Sequence, residues 1–375
     1  MRKHFRFFFV SLGVVLVVAV IVAVIVLRPY YRMPPESVEE LQAALDEYQS
    51  LAAAIADLPR HDRLEFDEML GKMALMLRLR FDWSAAECPP KDIRQWKKHE
   101  KKLLAVSGFD GKLDRILDGG LQLQRDNALD ADLVNVQAVG TWFDLQALTV
   151  VNQAENQYTD AAVVRLDKLA GVITGFYDAR VLLYLALGAR LEFVWNKALL
   201  FSLPWLSDEQ LRKLDEVIQA LPNPTMCLGD ALKLEIAGFS EMFKKEGFTL
   251  DGKTSARPRL STKIGYLKRE KWMAVSLYRR QIKAVEAWAE NGAVGSAPFV
   301  IEEDLEYSPL TRLVFPNLKG VDRNLRRAVA QRKAVRQVIA GELAYRTRAA
   351  VRPAEIKAGG FGRIVFENGH YCLLD

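Results

Sequence analysis

Apolar residues recur at spacings of three and four along most of this chain, and that period is typical of amphipathic α-helices. The first clear example begins at Ser37, which forms a capping-box pattern with Glu40 and is followed by Leu41 and Leu45 on one face. A helix is therefore predicted over about residues 37–58.

The helical period continues through the chain and predicts a mainly α fold, a helical bundle or array. A second capping box, Ser207 with Gln210, begins another helix. The most apolar part of the chain after the first 30 residues, 161–206, is expected to form buried central helices. Helical segments are predicted at 64–80, 91–106, 121–151, 161–206, 207–221, 228–247, 262–289 and 318–345.

Near the C-terminus the period changes from helical to extended. Two short runs, 363–367 and 370–374, flank the pair Asn368 and Gly369. An Asn-Gly pair favours a type I′ turn, because that turn needs positive φ at both central residues. The sequence therefore predicts a small C-terminal β-hairpin, which is expected to pack on the helices because a lone hairpin is only marginally stable.

The residues from Phe7 to Leu27 include no charged side chain, and Arg2, Lys3 and Arg6 precede them. A run of about 20 apolar residues matches the hydrocarbon core of a bilayer, whereas the apolar part of a cleaved signal peptide is shorter. We therefore predict a transmembrane anchor. A cleaved secretory signal and a buried core helix are the alternatives.

The charges on either side of this segment predict its orientation. Three basic residues and the terminal amine precede it, whereas Arg28 and Arg32 follow it, and positive charge favours the cytoplasmic side. We expect a single-pass protein of the cell membrane with a cytoplasmic N-terminus and the bulk of the chain extracytoplasmic, periplasmic in a Gram-negative cell. The predicted divisions are an anchor, a helical domain, and long basic helices with the hairpin packed on that domain. They span residues 1–32, 33–250 and 251–375, with a linker near 251–259.

The apolar stretch 181–206 is not expected to be a second membrane span. Arg190, Glu192 and Lys197 interrupt it. A charge near the centre of a spanning helix costs about 2.5 to 3.5 kcal/mol on insertion scales.

Histidine and cysteine, which are common in metal and catalytic sites, are few in this chain. Four histidines have no i, i+3 or i, i+4 pairing, and the cysteines Cys88, Cys227 and Cys372 permit at most one intramolecular disulfide. The chain contains no phosphate-binding loop of the Gly-x-x-x-x-Gly-Lys type, no Gly-x-Ser-x-Gly and no His-Glu-x-x-His. The sequence thus indicates no cofactor, no metal and no catalytic residue, and favours a protein that is not an enzyme.

One polar segment leaves an enzymatic or sensory role open. Residues 152–157 are rich in amide side chains and directly follow an apolar run. Buried amides could line a site for a polar ligand among the central helices, whereas a polar loop between helices explains the same composition without a ligand.

The second half of the chain is strongly basic. Between Lys253 and Lys283 ten lysines and arginines stand against Glu270 alone. Such charge attracts anionic lipid or an anionic envelope polymer, although basic helix faces are commonly just solvated. Nucleic acid is not an expected partner, because it requires the opposite topology. The residues proposed to contact an anionic surface are Lys268, Arg269, Arg279, Arg280, Arg323, Arg326, Arg327 and Lys333.

Several stretches of the second half resemble one group of proteins. These are the helices over 161–203, the helix start at 206–211, the Phe-Pro-Asn-Leu entry at 315–318 and the ending at 369–374. The chain resembles, over about residues 160–375, uncharacterised membrane-anchored helical bacterial proteins whose closing Gly-x-Tyr-x-Leu strand is similar to the tails of pseudopilins. The resemblance implies the same topology and fold, and no activity.

The sequence as a whole favours a membrane-anchored cell-envelope protein with a scaffold or interaction role. Its expected partners are the lipid bilayer and envelope proteins. The alternatives are an anchored enzyme or small-ligand sensor, and a binder of anionic polymer or lipid.

Overall fold

The structure, a computed structural model, describes residues 33–56, 136–244, 266–291, 295–298, 318–348 and 350–374. Within this part of the chain, 75% of the residues are helical and a small antiparallel sheet lies at the C-terminus. The mainly α fold is thus confirmed. The helices are α1 (Val38–Ala56), α2 (Val136–Glu155), α3 (Thr159–Asp178), α4 (Leu182–Ser202), α5 (Asp208–Ala220), α6 (Leu228–Lys244), α7 (Tyr266–Glu290) and α8 (Leu318–Arg346).

Both predicted capping serines begin a helix. The Ser207 hydroxyl accepts a hydrogen bond from the backbone N–H of Gln210 at 3.2 Å, and the Gln210 side chain accepts one from the Ser207 N–H at 2.8 Å. The Ser37 hydroxyl accepts a hydrogen bond from the backbone N–H of Glu40 at 3.1 Å. These bonds satisfy backbone donors that have no partner inside the helix.

Helix α4 lies at the centre of the fold. Its sequence is apolar around most of its circumference, so that it buries several faces at once against α2, α3 and α8. Gly188 permits the close approach of α3, because a β-carbon at this position would lie 2.8 Å from the ring of Tyr177. The stretch predicted to form buried central helices does so.

Helices α1, α6 and α7 pack against one another beside this centre. The Ser276 hydroxyl of α7 donates a hydrogen bond of 2.7 Å to Glu36, just before α1. Helix α6 also contacts α4, so the three helices are continuous with the central core.

The C-terminal sheet has three strands in the order β1 (Glu355–Lys357), β2 (Arg363–Glu367) and β3 (His370–Leu374). The predicted hairpin is confirmed: β2 and β3 pair around Asn368 and Gly369, whose φ values are 51° and 84°. Strand β1 was not predicted, because three residues are too few to show a period of two. Strand β3 packs on α4.

Among the residues that the structure describes, no helix is long and apolar enough to cross a membrane. The predicted anchor from Phe7 to Leu27 lies outside those residues. So do the predicted helices 64–80 and 91–106 and the linker at 251–259.

Candidate functional site

A buried acid on the central helix joins three other parts of the chain. The carboxylate of Glu192 accepts hydrogen bonds from Arg332 Nε and Nη2 of α8 at 2.9 and 2.8 Å, and from the Tyr177 hydroxyl of α3 at 2.7 Å. Arg332 Nη1 also donates to the backbone oxygens of Leu221 and Pro222 at 2.8 and 3.0 Å. We call Glu192, Arg332 and Tyr177 the Glu192 network. Its bidentate ion pair and its other hydrogen bonds connect α3, α4 and α8 with the end of α5.

A second buried acid, Glu342 of α8, holds the C-terminal segment. Arg346 Nε donates to it at 3.0 Å, Arg352 donates twice at 3.0 and 2.9 Å, and the Tyr371 hydroxyl donates at 2.8 Å. The guanidinium of Arg352 also covers the ring of Phe366 at 4.4 Å. We call this cluster the Glu342 network.

In both networks, burial and hydrogen bonding shift the pKa of some members. Burial raises the pKa of Tyr177, and the neighbouring Glu192 carboxylate raises it further. Burial opposes ionisation of Glu342, but hydrogen bonds from Tyr371, Arg352 and Arg346 outweigh it and lower the pKa of that carboxyl. An acid held ionised by two arginines is a poor proton donor near neutral pH, so the Glu342 network is suited to bracing helices.

Several buried polar side-chain atoms of the described residues have no hydrogen-bond partner, and two of them belong to Asn196. Among the described residues, neither side-chain nitrogen nor oxygen of Asn196 on α4 has a hydrogen-bond partner, and the residue is fully buried. A buried amide without partners costs about 1–3 kcal/mol.

We therefore expect Asn196→Leu, which keeps the number and branching of the side-chain heavy atoms, to raise the free energy of unfolding by about 1 kcal/mol. Chemical denaturation of the full-length protein in detergent, followed by circular dichroism, measures this. The control is Asn156→Leu at an exposed helix end, where no gain is expected. A destabilised Asn196→Leu protein would contradict this account of the site.

A cleft of about 370 Å³ lies between α1, α6 and α7. Helix α1 lines it with residues spaced four and three apart, so that they share one face, and α7 does the same from the other side. Its apolar floor is made by Ala44, Tyr48 and Ile282. Its charged lining consists of the acids Glu40, Glu47 and Glu286 and the bases Lys233, Arg279 and Lys283.

Some of these charges are already engaged. Lys233 Nζ lies 2.7 Å from Glu286 and 3.5 Å from Asp230, and although burial opposes its charge, these acids raise its pKa. Arg279 approaches Glu40 only to 3.9 Å.

Two charges of the cleft remain without a partner. Within the described part of the chain, Glu47 and Lys283 form no ion pair or side-chain hydrogen bond. The cleft thus presents one uncommitted charge of each sign.

The residues proposed to contact an anionic surface occupy different environments. Arg269 is 3% exposed and lies 2.5 Å from Glu270. Arg323 and Lys333 are exposed on α8. The side chain of Lys268 lies outside the described residues. The others are half-buried: Arg279, Arg280, Arg326 and Arg327.

The described basic residues of this set lie on two helices with different packing partners. Those of α7 belong to a helix that packs on α1 and α6, whereas those of α8 belong to a helix that packs on α4. Arg326 is bound to Asp322 at 2.9 Å, and Arg327 covers the ring of Phe193 at 4.5 Å. Contact with an anionic surface stays a prediction.

The amide-rich segment 152–157 lies at the end of α2 and in the turn that follows it. Asn156 is exposed and donates to the backbone oxygen of Asn152 at 2.8 Å. Gln157 adopts a φ of 67°, a conformation in which glycine often ends a helix. Its backbone N–H donates a hydrogen bond to the Ala154 oxygen. These contacts are local and agree with a polar connection between helices.

The cysteines differ from one another. Cys372 on β3 is disulfide-bonded, and Cys227 before α6 is a free thiol whose pKa burial raises to about 11. Cys88 lies outside the described residues. Among those residues, no group of three acidic, histidine or cysteine side chains could hold a metal ion.

Sequence reasoning missed the cleft and both networks. Their charged residues could be read from the sequence, but their partners could not. Arg332 and Glu192 are 140 residues apart, and Tyr371 and Glu342 lie in different elements. One signal was available: Glu192 interrupts the most apolar stretch of the described chain, and a buried acid requires a partner. Nothing in the sequence identified Arg332 as that partner.

Comparisons with protein-family models, with curated proteins and with solved structures find no match to this chain. The resemblance to anchored helical bacterial proteins stays a prediction.

Proposed function

We propose that this protein is a single-pass, membrane-anchored protein of the cell envelope whose helical domain lies outside the cytoplasm and serves as a scaffold or interaction partner. The proposal joins the apolar segment from Phe7 to Leu27, with its basic N-terminal flank, to the helical architecture.

The observation that carries the location is the disulfide bond of Cys372. Stable disulfides form in oxidising compartments and are rare in the cytosol. Cys372 belongs to strand β3, which packs on the central helix α4.

The two buried networks support a structural role. Each uses a buried acid, at least one arginine and a tyrosine. The Glu192 network holds helices together, and the Glu342 network holds the C-terminal sheet to α8. A rigid helical body on a membrane anchor is suited to presenting fixed surfaces to other proteins.

The location is tested with the full-length protein carrying a C-terminal tag in a Gram-negative host. We expect protease added to intact spheroplasts to remove the tag while a cytoplasmic marker survives. Alkylation of the denatured protein without reductant should modify one of the three cysteines, Cys227, and reduction should expose the other two. By count, the expected partner of Cys372 is Cys88, which peptide mapping identifies.

The matched control is Cys227→Ser, which should leave no alkylated cysteine before reduction. A tag protected from protease, or three cysteines modified without reductant, would contradict the proposed location.

A further inference from the structure

The cleft between α1, α6 and α7 has the volume and the mixed lining of a small binding site. Its volume of about 370 Å³ falls in the range of about 300–1,000 Å³ typical of small-molecule sites. Three helices line it, its floor is apolar, and charged side chains surround that floor. Such a combination can bury part of a ligand and fix its orientation through its charges.

The charge pattern selects the class of ligand. Three acids and three bases line the cleft, so that its lining has no net charge. An ion of a single sign meets as many repulsive as attractive groups there, whereas a molecule with one charge of each sign can satisfy both.

The uncommitted side chains indicate where each charge of a ligand would go. Lys233 and Glu286 are paired at 2.7 Å and already neutralise each other. Glu47 has no partner within the described part of the chain and is available to an ammonium group. Lys283 is likewise without a partner there, and Arg279, 3.9 Å from Glu40, adds a planar donor suited to a carboxylate.

We propose that this cleft binds a small zwitterion, a short peptide with a free ammonium group and a free carboxylate. The ammonium group pairs with Glu47, and the carboxylate pairs with Lys283 and Arg279. Arg279 lies beside Glu40, and Glu40 is seven residues from Glu47 on α1, which is about 10 Å along the helix axis. Two or three extended residues span a comparable length, at about 3.3 Å each, and small apolar side chains fit the floor at Ala44 and Ile282.

The first test uses trialanine as the probe, titrated calorimetrically into the full-length protein in detergent. We expect saturable binding that weakens about threefold to fivefold for N-acetyl-trialanine, which lacks the ammonium group, and similarly for trialanine amide, which lacks the carboxylate. No binding of trialanine, or equal binding of all three peptides, would overturn the proposal.

Two substitutions assign the ends of the peptide. Glu47→Gln should abolish the preference for trialanine over the N-acetyl form while keeping the preference over the amide. Lys283→Gln should reduce the preference over the amide, because Arg279 remains, while keeping the preference over the N-acetyl form. Both side chains lie at the protein surface, so circular dichroism should report an unchanged fold. The matched controls are Glu39→Gln, exposed on α1 outside the cleft, and Lys333→Gln on α8. If the controls change binding as much as the cleft variants do, the peptide does not bind in this cleft.

Discussion

Replacing Arg332 with methionine is expected to lower the free energy of unfolding by about 3–5 kcal/mol, because it leaves a buried carboxylate without a counter-charge. Glu192 is fully buried and accepts two of its hydrogen bonds from this guanidinium. The backbone oxygens of Leu221 and Pro222 lose their donor as well. The change therefore breaks contacts between α8, α4 and the end of α5 at once.

Chemical denaturation of the full-length protein in detergent measures this loss. The matched control is Arg336→Met, one turn further along α8, where the arginine is 44% exposed and lies 2.7 Å from Asp215. An exposed pair of this kind contributes at most about 1 kcal/mol. If both variants lost the same free energy of unfolding, burial of the Glu192 network would not govern its contribution to stability.

The second large effect is expected for Glu342→Gln, which should cost about 2–3 kcal/mol at neutral pH through the loss of charge-assisted hydrogen bonds. Four hydrogen bonds from Arg346, Arg352 and Tyr371 end on this carboxylate. Tyr371 belongs to β3 and Arg352 precedes β1, so the loss should loosen the C-terminal sheet from α8.

The pKa of Glu342 also predicts how this effect depends on pH. Its folded pKa lies below its ordinary value of 4.5, so ionisation stabilises the folded state above that pH. The stabilisation is lost as the pH falls through the folded pKa. Wild type and Glu342→Gln should therefore differ most near neutral pH and converge in acid.

Denaturation curves recorded from neutral to acidic pH measure this difference. The matched control is Glu216→Gln on α5, an exposed acid for which the difference from wild type should stay small at every pH. A Glu342→Gln difference that is constant across the pH range would contradict the assigned role of the ionised carboxylate.

Local sequence patterns predicted most helices and the hairpin. Ser207 and Gln210 fixed the start of α5 because capping uses residues three apart in the chain. Asn368 and Gly369 fixed the turn between β2 and β3 because few other residues adopt positive φ. Strand β1 escaped prediction, since it is too short to show alternation and is stabilised by its pairing with β2.

The candidate sites could not be predicted in the same way. The cleft exists because the face of α1 with Glu40 and Glu47 lies opposite the face of α7 with Arg279 and Lys283, more than 200 residues away. Periodicity shows that a helix has a polar face, but it does not show which helix lies opposite. Likewise, the basic character of the second half was evident, whereas the burial of Arg269 against Glu270 was not.

The sequence by itself determined the mainly helical class, the helix starts, the hairpin and the apolar segment from Phe7 to Leu27, because each depends on residues close together in the chain. Only the tertiary structure decided which charges are paired, which are buried and which line a cleft. Those properties depend on packing between distant elements, where the Glu192 and Glu342 networks join α8 to the central helices and to the C-terminal sheet.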